Sequence, residues 1–226
     1  MIDFSSNEAA SLVKLAARGA GYPWGVAEES AYASCWFANQ EIDGLSLFAA
    51  LFSWSDGHAV ADLSIRCEGD NWSGQSGQLC SLLTGCAVND FADLLDSGRT
   101  LVLEHVVCAA VLLPFLVQVS SELQKSVEVR WGVEWLVCDA AKPEAITSSE
   151  HAREELSSHH TPITLSISCS GSVTESGKTW SLKSSPRVSS DVSVVQTLRQ
   201  FAHRTYAPAT EQSRLSGAGA GTSDND

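Results

Sequence analysis

Between Val127 and Val137 the chain alternates in apolar character: Val127, Val129, Trp131, Val133, Trp135 and Val137 are interleaved with Glu128, Arg130, Gly132 and Glu134. A period of two marks a strand with one solvated face and one covered face. A chain carrying this segment has to build a sheet and supply something apolar to lie on it. Ile163, Leu165, Ile167 and Cys169 repeat the pattern, and the β-branched stretch Leu101–Ala109 reads as a buried strand. Residues 179–183 read as a strand pairing with 163–169 through a Ser176-Gly177 turn. A weaker strand is predicted over residues 59–67.

The cover is helical. Ser5-Ser6-Asn7-Glu8 offers capping residues and an early acid, so a helix is predicted from about Asn7 to Arg18. Gly19-Ala20-Gly21 ends it, and Pro23 suits the first turn of a second helix over residues 24–38. Trp24, Ala27, Ala31 and Cys35 form one stripe of that helix. Further helices are predicted over residues 45–54, after an Asp43-Gly44 turn, and 82–96, ended by Gly98. Another covers 112–123, with Pro114 in its first turn. The last starts at Ser189 or Ser190 and ends near Thr205. Residues 70–77 carry loop chemistry, and 140–160 read as a polar loop with at most a short helix. The expected fold class is α+β with a mostly antiparallel sheet. One domain spans residues 1–209, its first 55 residues helical. Residues 210–226 form a Gly/Ala-rich acidic tail that either docks on the domain or hangs free.

Charge narrows function. Fourteen Lys and Arg against 27 Asp and Glu give a net charge of −13, the wrong sign for a phosphate backbone or an anionic lipid surface. Nucleic acid and membrane are therefore not expected partners. The longest apolar run, Val106–Val119, contains Pro114 and is too short for a bilayer span. Residues 1–4 lack the basic and apolar regions of a signal peptide. Seven cysteines, an odd number with no CxxC pair, fit reduced thiols in the cytoplasm better than a disulfide framework. No Cys or His pair has structural zinc spacing, so neither a metal nor a cofactor is expected.

Three stretches carry a resemblance. Ala16-Ala17-Arg18-Gly19-Ala20-Gly21-Tyr22-Pro23-Trp24-Gly25-Val26-Ala27-Glu28-Glu29 is one, and Gly85-Cys86-Ala87-Val88-Asn89-Asp90 is a second. The third is Arg204-Thr205-Tyr206-Ala207-Pro208, continuing through Ser213-Arg214 and Gly217–Gly221 to Asp224-Asn225-Asp226. Together they resemble a bacterial family, the domain of unknown function numbered 3726. The resemblance implies one domain and brings no activity with it.

The same stretches hold the candidate site residues. At the first corner Arg18 closes one helix, and Glu28 and Glu29 open the next, each charge suiting its helix dipole. Trp24 adds an amphipathic ring. Consecutive helical residues diverge by about 100°, so at most one of the two carboxylates faces a given cleft. The corner also reads as purely structural, with glycines for close packing and Trp24 plugging the core. In the last stretch Arg204, Tyr206 and Arg214 are candidates to grip a carboxylate or phosphate, with Gly217 and Gly219 presenting backbone N–H groups. That segment also reads as a flexible tail. Asp90 and Asp93 read as a solvated helix face, and the histidines as isolated or surface residues.

Two functions follow. The first is a non-catalytic binding module or companion subunit of a cytosolic metabolic system, with a protein partner or a second copy of itself. The second is a small enzyme for an anionic metabolite. There Arg18, Arg204 and Arg214 clamp substrate, Glu28 or Glu29 is the acid or base, and Tyr206 donates a hydrogen bond.

Overall fold

The fold is α+β. The computed structural model describes residues 1–40, 42–142, 145–158, 161–170, 177–181 and 187–206. A short strand β1 (Ile2–Ser5) leads into α1 (Ser6–Gly19). Ser5 and Glu8 close that helix with a capping box: each side chain accepts from the other's backbone N–H, at 3.2 and 2.8 Å. Then come α2 (Trp24–Ala38) and α3 (Gly44–Ser55). Asp43 caps α3 by accepting from the Ser46 N–H at 3.1 Å.

Strands β2 (Ile65–Glu68), β3 (Asn71–Gly74) and β4 (Leu79–Cys80) precede α4 (Ser81–Asp90) and α5 (Ala92–Asp96). Strand β5 (Thr100–Val107) and α6 (Leu113–Leu123) follow. The second half holds β6 (Ser126–Trp131), β7 (Glu134–Cys138), β8 (Ala145–Ser148), α7 (Ala152–Ser158), β9 (Ile163–Ser170), β10 (Lys178–Ser181), β11 (Arg187–Ser190) and α8 (Val192–His203).

Two sheets form. The large one has the order β10-β8-β7-β6-β9-β5-β3-β2, with β4 beside β5, and is antiparallel except where β3 and β4 run parallel to β5. The small one pairs β1 with β11 and ties the two ends of the described chain together. One buried cluster runs from Phe4 to Phe201. Helix α6 carries the helices onto the large sheet, contacting β6 and β7 as well as α4. Gly85 of α4 lies against the Phe115 ring of α6, where a Cβ would meet Cδ2 at 2.3 Å. Each large side chain fully buried in this way contributes about 1.5–3 kcal/mol relative to exposure.

Several expectations change. The alternating segment 127–137 is two strands, because Gly132, at φ +52°, turns the chain between Trp131 and Glu134. A two-residue turn preserves the count while reversing which parity faces the core. Val127 pairs with Cys138 and Val129 with Leu136, so the even residues of β7 share the face of the odd residues of β6. Trp135 and Val137 belong to the opposite face. Residues 60–63 form a 3-10 turn, leaving only 65–68 as strand. The predicted loop 70–77 supplies β3, which gains order by pairing with both β2 and β5. Helix 82–96 is broken at Phe91. Strand β10 pairs with β8, not β9, because β9 is already flanked by β5 and β6. The polar stretch 140–160 contains both β8 and α7. Ser189 and Ser190 lie in β11, and Asp191 stands at the start of α8. Among the described residues no helix is long and apolar enough to cross a membrane.

Candidate functional site

The corner between α1 and α2 is built around Tyr22. Its side chain is fully buried, packs on Phe52 at 5.6 Å between ring centroids, and places its hydroxyl 3.3 Å from Cys80 Sγ. Tyr22, not Trp24, plugs the core. Trp24 is 57% exposed, with the Arg18 guanidinium 4.6 Å and the Lys14 ammonium 5.9 Å from its ring centre. The Arg18 Nη1 donates to the Tyr22 carbonyl, closing the corner. Glu28 turns towards α1 and accepts from Lys14 Nζ at 3.2 Å.

Glu29 faces elsewhere, as the helical offset requires. With Gly25 and Val26 it forms one wall of a groove of about 280 Å³, whose other wall is Cys86, Asn89 and Asp90 of α4. The first and second sequence stretches therefore meet across an open pocket. The side-chain carboxylates of Glu29 and Asp90 form no hydrogen bond or ion pair with any described residue. Asn89 Oδ1 has no accessible surface and no hydrogen-bond partner. Burial, reinforced by Glu29 and Asp90, pushes the Cys86 thiol up to about 12, so it stays protonated and non-nucleophilic. Burial and Glu29 also raise the Tyr32 hydroxyl, one turn further along α2. Tyr32 and Phe91 are both exposed large side chains near the groove, at 44% and 55%.

The third stretch is only partly described. Arg204 lies at the end of α8 and donates both Nη atoms to Asp56 at 2.6 and 3.0 Å, while stacking 4.4 Å over Phe201. Tyr206 is 60% exposed and meets His203 edge-on at 5.2 Å. Arg214, Gly217 and Gly219 lie outside the described residues. The first stretch meets α8 as packed backbone, Gly19 against the carbonyl of Phe201, three residues before the third stretch begins. Arg18 and Arg204 each have a partner within the chain, and Glu29 opens onto a different surface.

A larger cleft, about 620 Å³, lies between the start of α3 and α7, lined by Asp43, Ser46, Glu150, Arg153, Glu154 and Ser157. Asp43 there is held by Ser46 and Ser190, and Glu150 by Lys178 at 2.7 Å. Arg153 donates to the Gln40 carbonyl at 2.5 Å and lies 5.5 Å from the Trp180 ring centre. Sequence alone gave no signal for this cleft, because its two sides are more than a hundred residues apart. Asp90 and Asn89 were legible only as members of a helix, since nothing in α4 says which helix lies opposite. Among the described residues no three His, Cys, Asp or Glu side chains come together as a metal site.

Residues 4–78 match the model of a family described as Protein of unknown function (DUF3726). Over that stretch the resemblance carried by the first corner holds. The DUF3726 match contains the Arg18–Glu29 corner and one wall of the groove, while Gly85–Asp90 and the residues from Arg204 onward lie beyond it. No curated protein and no solved structure matches the chain.

Proposed function

We propose that this chain is a non-catalytic binding module, a companion subunit within a metabolic system of the cytoplasm, and that the α2–α4 groove is its binding face. The observation that carries the reading is the chemistry of that groove. It joins two carboxylates that have no partner among the described residues and a thiol held protonated. That set binds; it offers no activated nucleophile and no cation to hold an anionic metabolite. The exposed rings of Tyr32 and Phe91 add the amphipathic contact area that protein interfaces favour.

The test is affinity capture from host lysate with the full-length chain beside a Glu29→Lys/Asp90→Lys double variant. A stoichiometric protein retained by the wild type and lost by the variant is the expected result. A protein retained equally by both overturns the groove as the binding face. Retention of an anionic small molecule alone, with turnover, overturns the non-catalytic reading.

A further inference from the structure

We propose that the Asp56–Gly57 bond is a site of backbone modification, where the aspartyl linkage rearranges to the isoaspartyl form through a succinimide ring, and that the Arg204 ion pair guards it. This goes beyond the binding-module reading and does not depend on it.

The chain holds two Asp-Gly bonds, Asp43–Gly44 and Asp56–Gly57. Glycine has no Cβ, so its amide nitrogen is the least hindered that a following residue can present to an aspartyl carboxyl group. The fold treats the two bonds differently. Asp43 is locked into the start of α3. Its carboxylate accepts from the Ser46 N–H at 3.1 Å, the Ser46 hydroxyl at 2.6 Å and the Ser190 hydroxyl at 3.1 Å. Gly44 is buried and donates its N–H to the Ile42 carbonyl at 2.8 Å. A Cβ there would meet the Phe37 side chain at 2.7 Å. Closing a ring at this bond takes the helix start apart.

Asp56 sits just past the last turn of α3, at φ −62° and ψ 132°. Residues 56–59 are all exposed. Gly57 has a φ of +82°, and nothing lies within 4 Å of its missing Cβ. Its N–H is hydrogen-bonded to the Asp56 carboxyl group, so the reacting nitrogen and the group it attacks are neighbours.

What restrains the bond is Arg204, which donates both Nη atoms to the two carboxylate oxygens at 2.6 and 3.0 Å. The fork keeps the carboxyl ionised, the form from which an oxygen leaves least readily. It also restricts the rotation that ring closure needs. The His58 N–H, donating to the Ser55 carbonyl at 3.1 Å, steadies the backbone of the same turn. Both members of the pair are partly exposed, at 48% and 44%. An ion pair open to water contributes little net stability and opens readily, unlike the cap that holds Asp43.

The step needs no co-reactant but water. The Gly57 nitrogen bonds to Cγ of the protonated Asp56 carboxyl, and the hydroxyl leaves as water with the amide proton. Water then adds to the Asp56 backbone carbonyl carbon and cleaves its bond to the Gly57 nitrogen, which regains a proton. The former backbone carbonyl becomes a free carboxylate. Mass is unchanged and nothing is oxidised or reduced. The main chain now runs through Cγ, and the carboxylate hangs directly from Cα. Arg204 loses its partner, and α8 its tie to the end of α3. The last turn of α8 also lies against Gly19, so the loss is felt at the α1–α2 corner.

The experiment holds the full-length chain at neutral pH and physiological temperature and samples it over weeks. Peptide mapping with electron-transfer fragmentation reads isoaspartate at each bond, and labelling with an isoaspartyl methyltransferase reads the total. Isoaspartate is expected at residue 56 well ahead of residue 43. Arg204→Gln is expected to speed the reaction at residue 56 several-fold and leave residue 43 unchanged. Arg204→Lys, which keeps the charge without the fork, falls between. In denaturant the two bonds react at similar rates, because the native difference lies in the fold. Absence of isoaspartate at residue 56, or an equal native rate at residue 43, overturns the site. No acceleration in Arg204→Gln, or the same acceleration at both bonds, overturns the guard.

Discussion

The carbonyl oxygen of Phe201 lies where a side chain at residue 19 would begin: a Cβ on Gly19 would stand 1.7 Å from it. The last turns of α1 and α8 are therefore in backbone contact, and the end of the described chain is fixed beside the α1–α2 corner. Gly19→Ala forces the helices apart and is expected to destabilise by about 3 kcal/mol, the upper part of the usual overpacking range. For a chain of this size that lowers Tm by roughly 6–12 °C. Gly25, inside α2 with nothing near its missing Cβ, is the control. Gly25→Ala is expected to stabilise by about 0.5–1 kcal/mol. Thermal melts of the two variants check the contrast.

Tyr22 and Cys80 form the polar contact at the centre of the same corner. Tyr22→Phe keeps the ring and removes the hydroxyl, and is expected to cost about 0.5–1.5 kcal/mol by denaturant unfolding. Burial, aided by Cys80, raises the Tyr22 hydroxyl far above its ordinary range. The folded state therefore prefers the protonated phenol. Its contribution is complete below the unfolded tyrosine pKa of about 10 and is lost as pH rises beyond it. An alkaline ultraviolet titration is expected to show Tyr22 ionising only as the protein unfolds, after the exposed Tyr206.

The bidentate pair of Arg204 with Asp56 runs between α8 and the end of α3. The Arg204 hydrogen bonds hold the Asp56 carboxyl below its ordinary value. A lowered folded-state pKa stabilises above the unfolded pKa of about 3.9 and loses that effect as pH falls through the folded value. Asp56→Asn is expected to lower Tm slightly at neutral pH, with the difference from wild type closing below about pH 4. Both side chains are partly exposed, so salt is expected to shrink the difference too.

Thiol reactivity maps the core. Cys67 is exposed, while Cys80, Cys108 and Cys138 are buried with raised pKa values. Titration of the native protein with a disulfide reagent is expected to modify Cys67 first and to reach those three only on unfolding. Glu29→Gln/Asp90→Asn is expected to speed alkylation of Cys86 modestly. Desolvation, the larger cause of its shift, remains, and only the two carboxylates are removed. Peptide mapping after timed alkylation reads this directly.

Local chemistry reached the tertiary structure intact where one segment decided the outcome. The Ser5–Glu8 cap, the α2 boundaries and the Pro114 start of α6 were all legible, because each is settled within a turn or two of helix. The divergence of Glu28 and Glu29 followed from helical geometry alone. The parity reversal at Gly132 was hidden, because a two-residue turn leaves an alternating pattern unbroken to the eye. Strand β3 was hidden too, since Asn71, Trp72, Ser73 and Gly74 have little strand character until β2 and β5 supply both sets of hydrogen bonds.

The α+β class, the acidic charge, the corner that opens α2 and the helix that carries Cys86, Asn89 and Asp90 can all be read along the chain. These are properties of periodicity, capping and composition, which act over a few residues. Folding adds that Tyr22 is buried while Trp24 is exposed, that Arg204 answers to Asp56, and that Glu29 and Asp90 line the two walls of one groove. Those outcomes depend on which surfaces lie opposite one another, and packing between segments distant in the chain sets that.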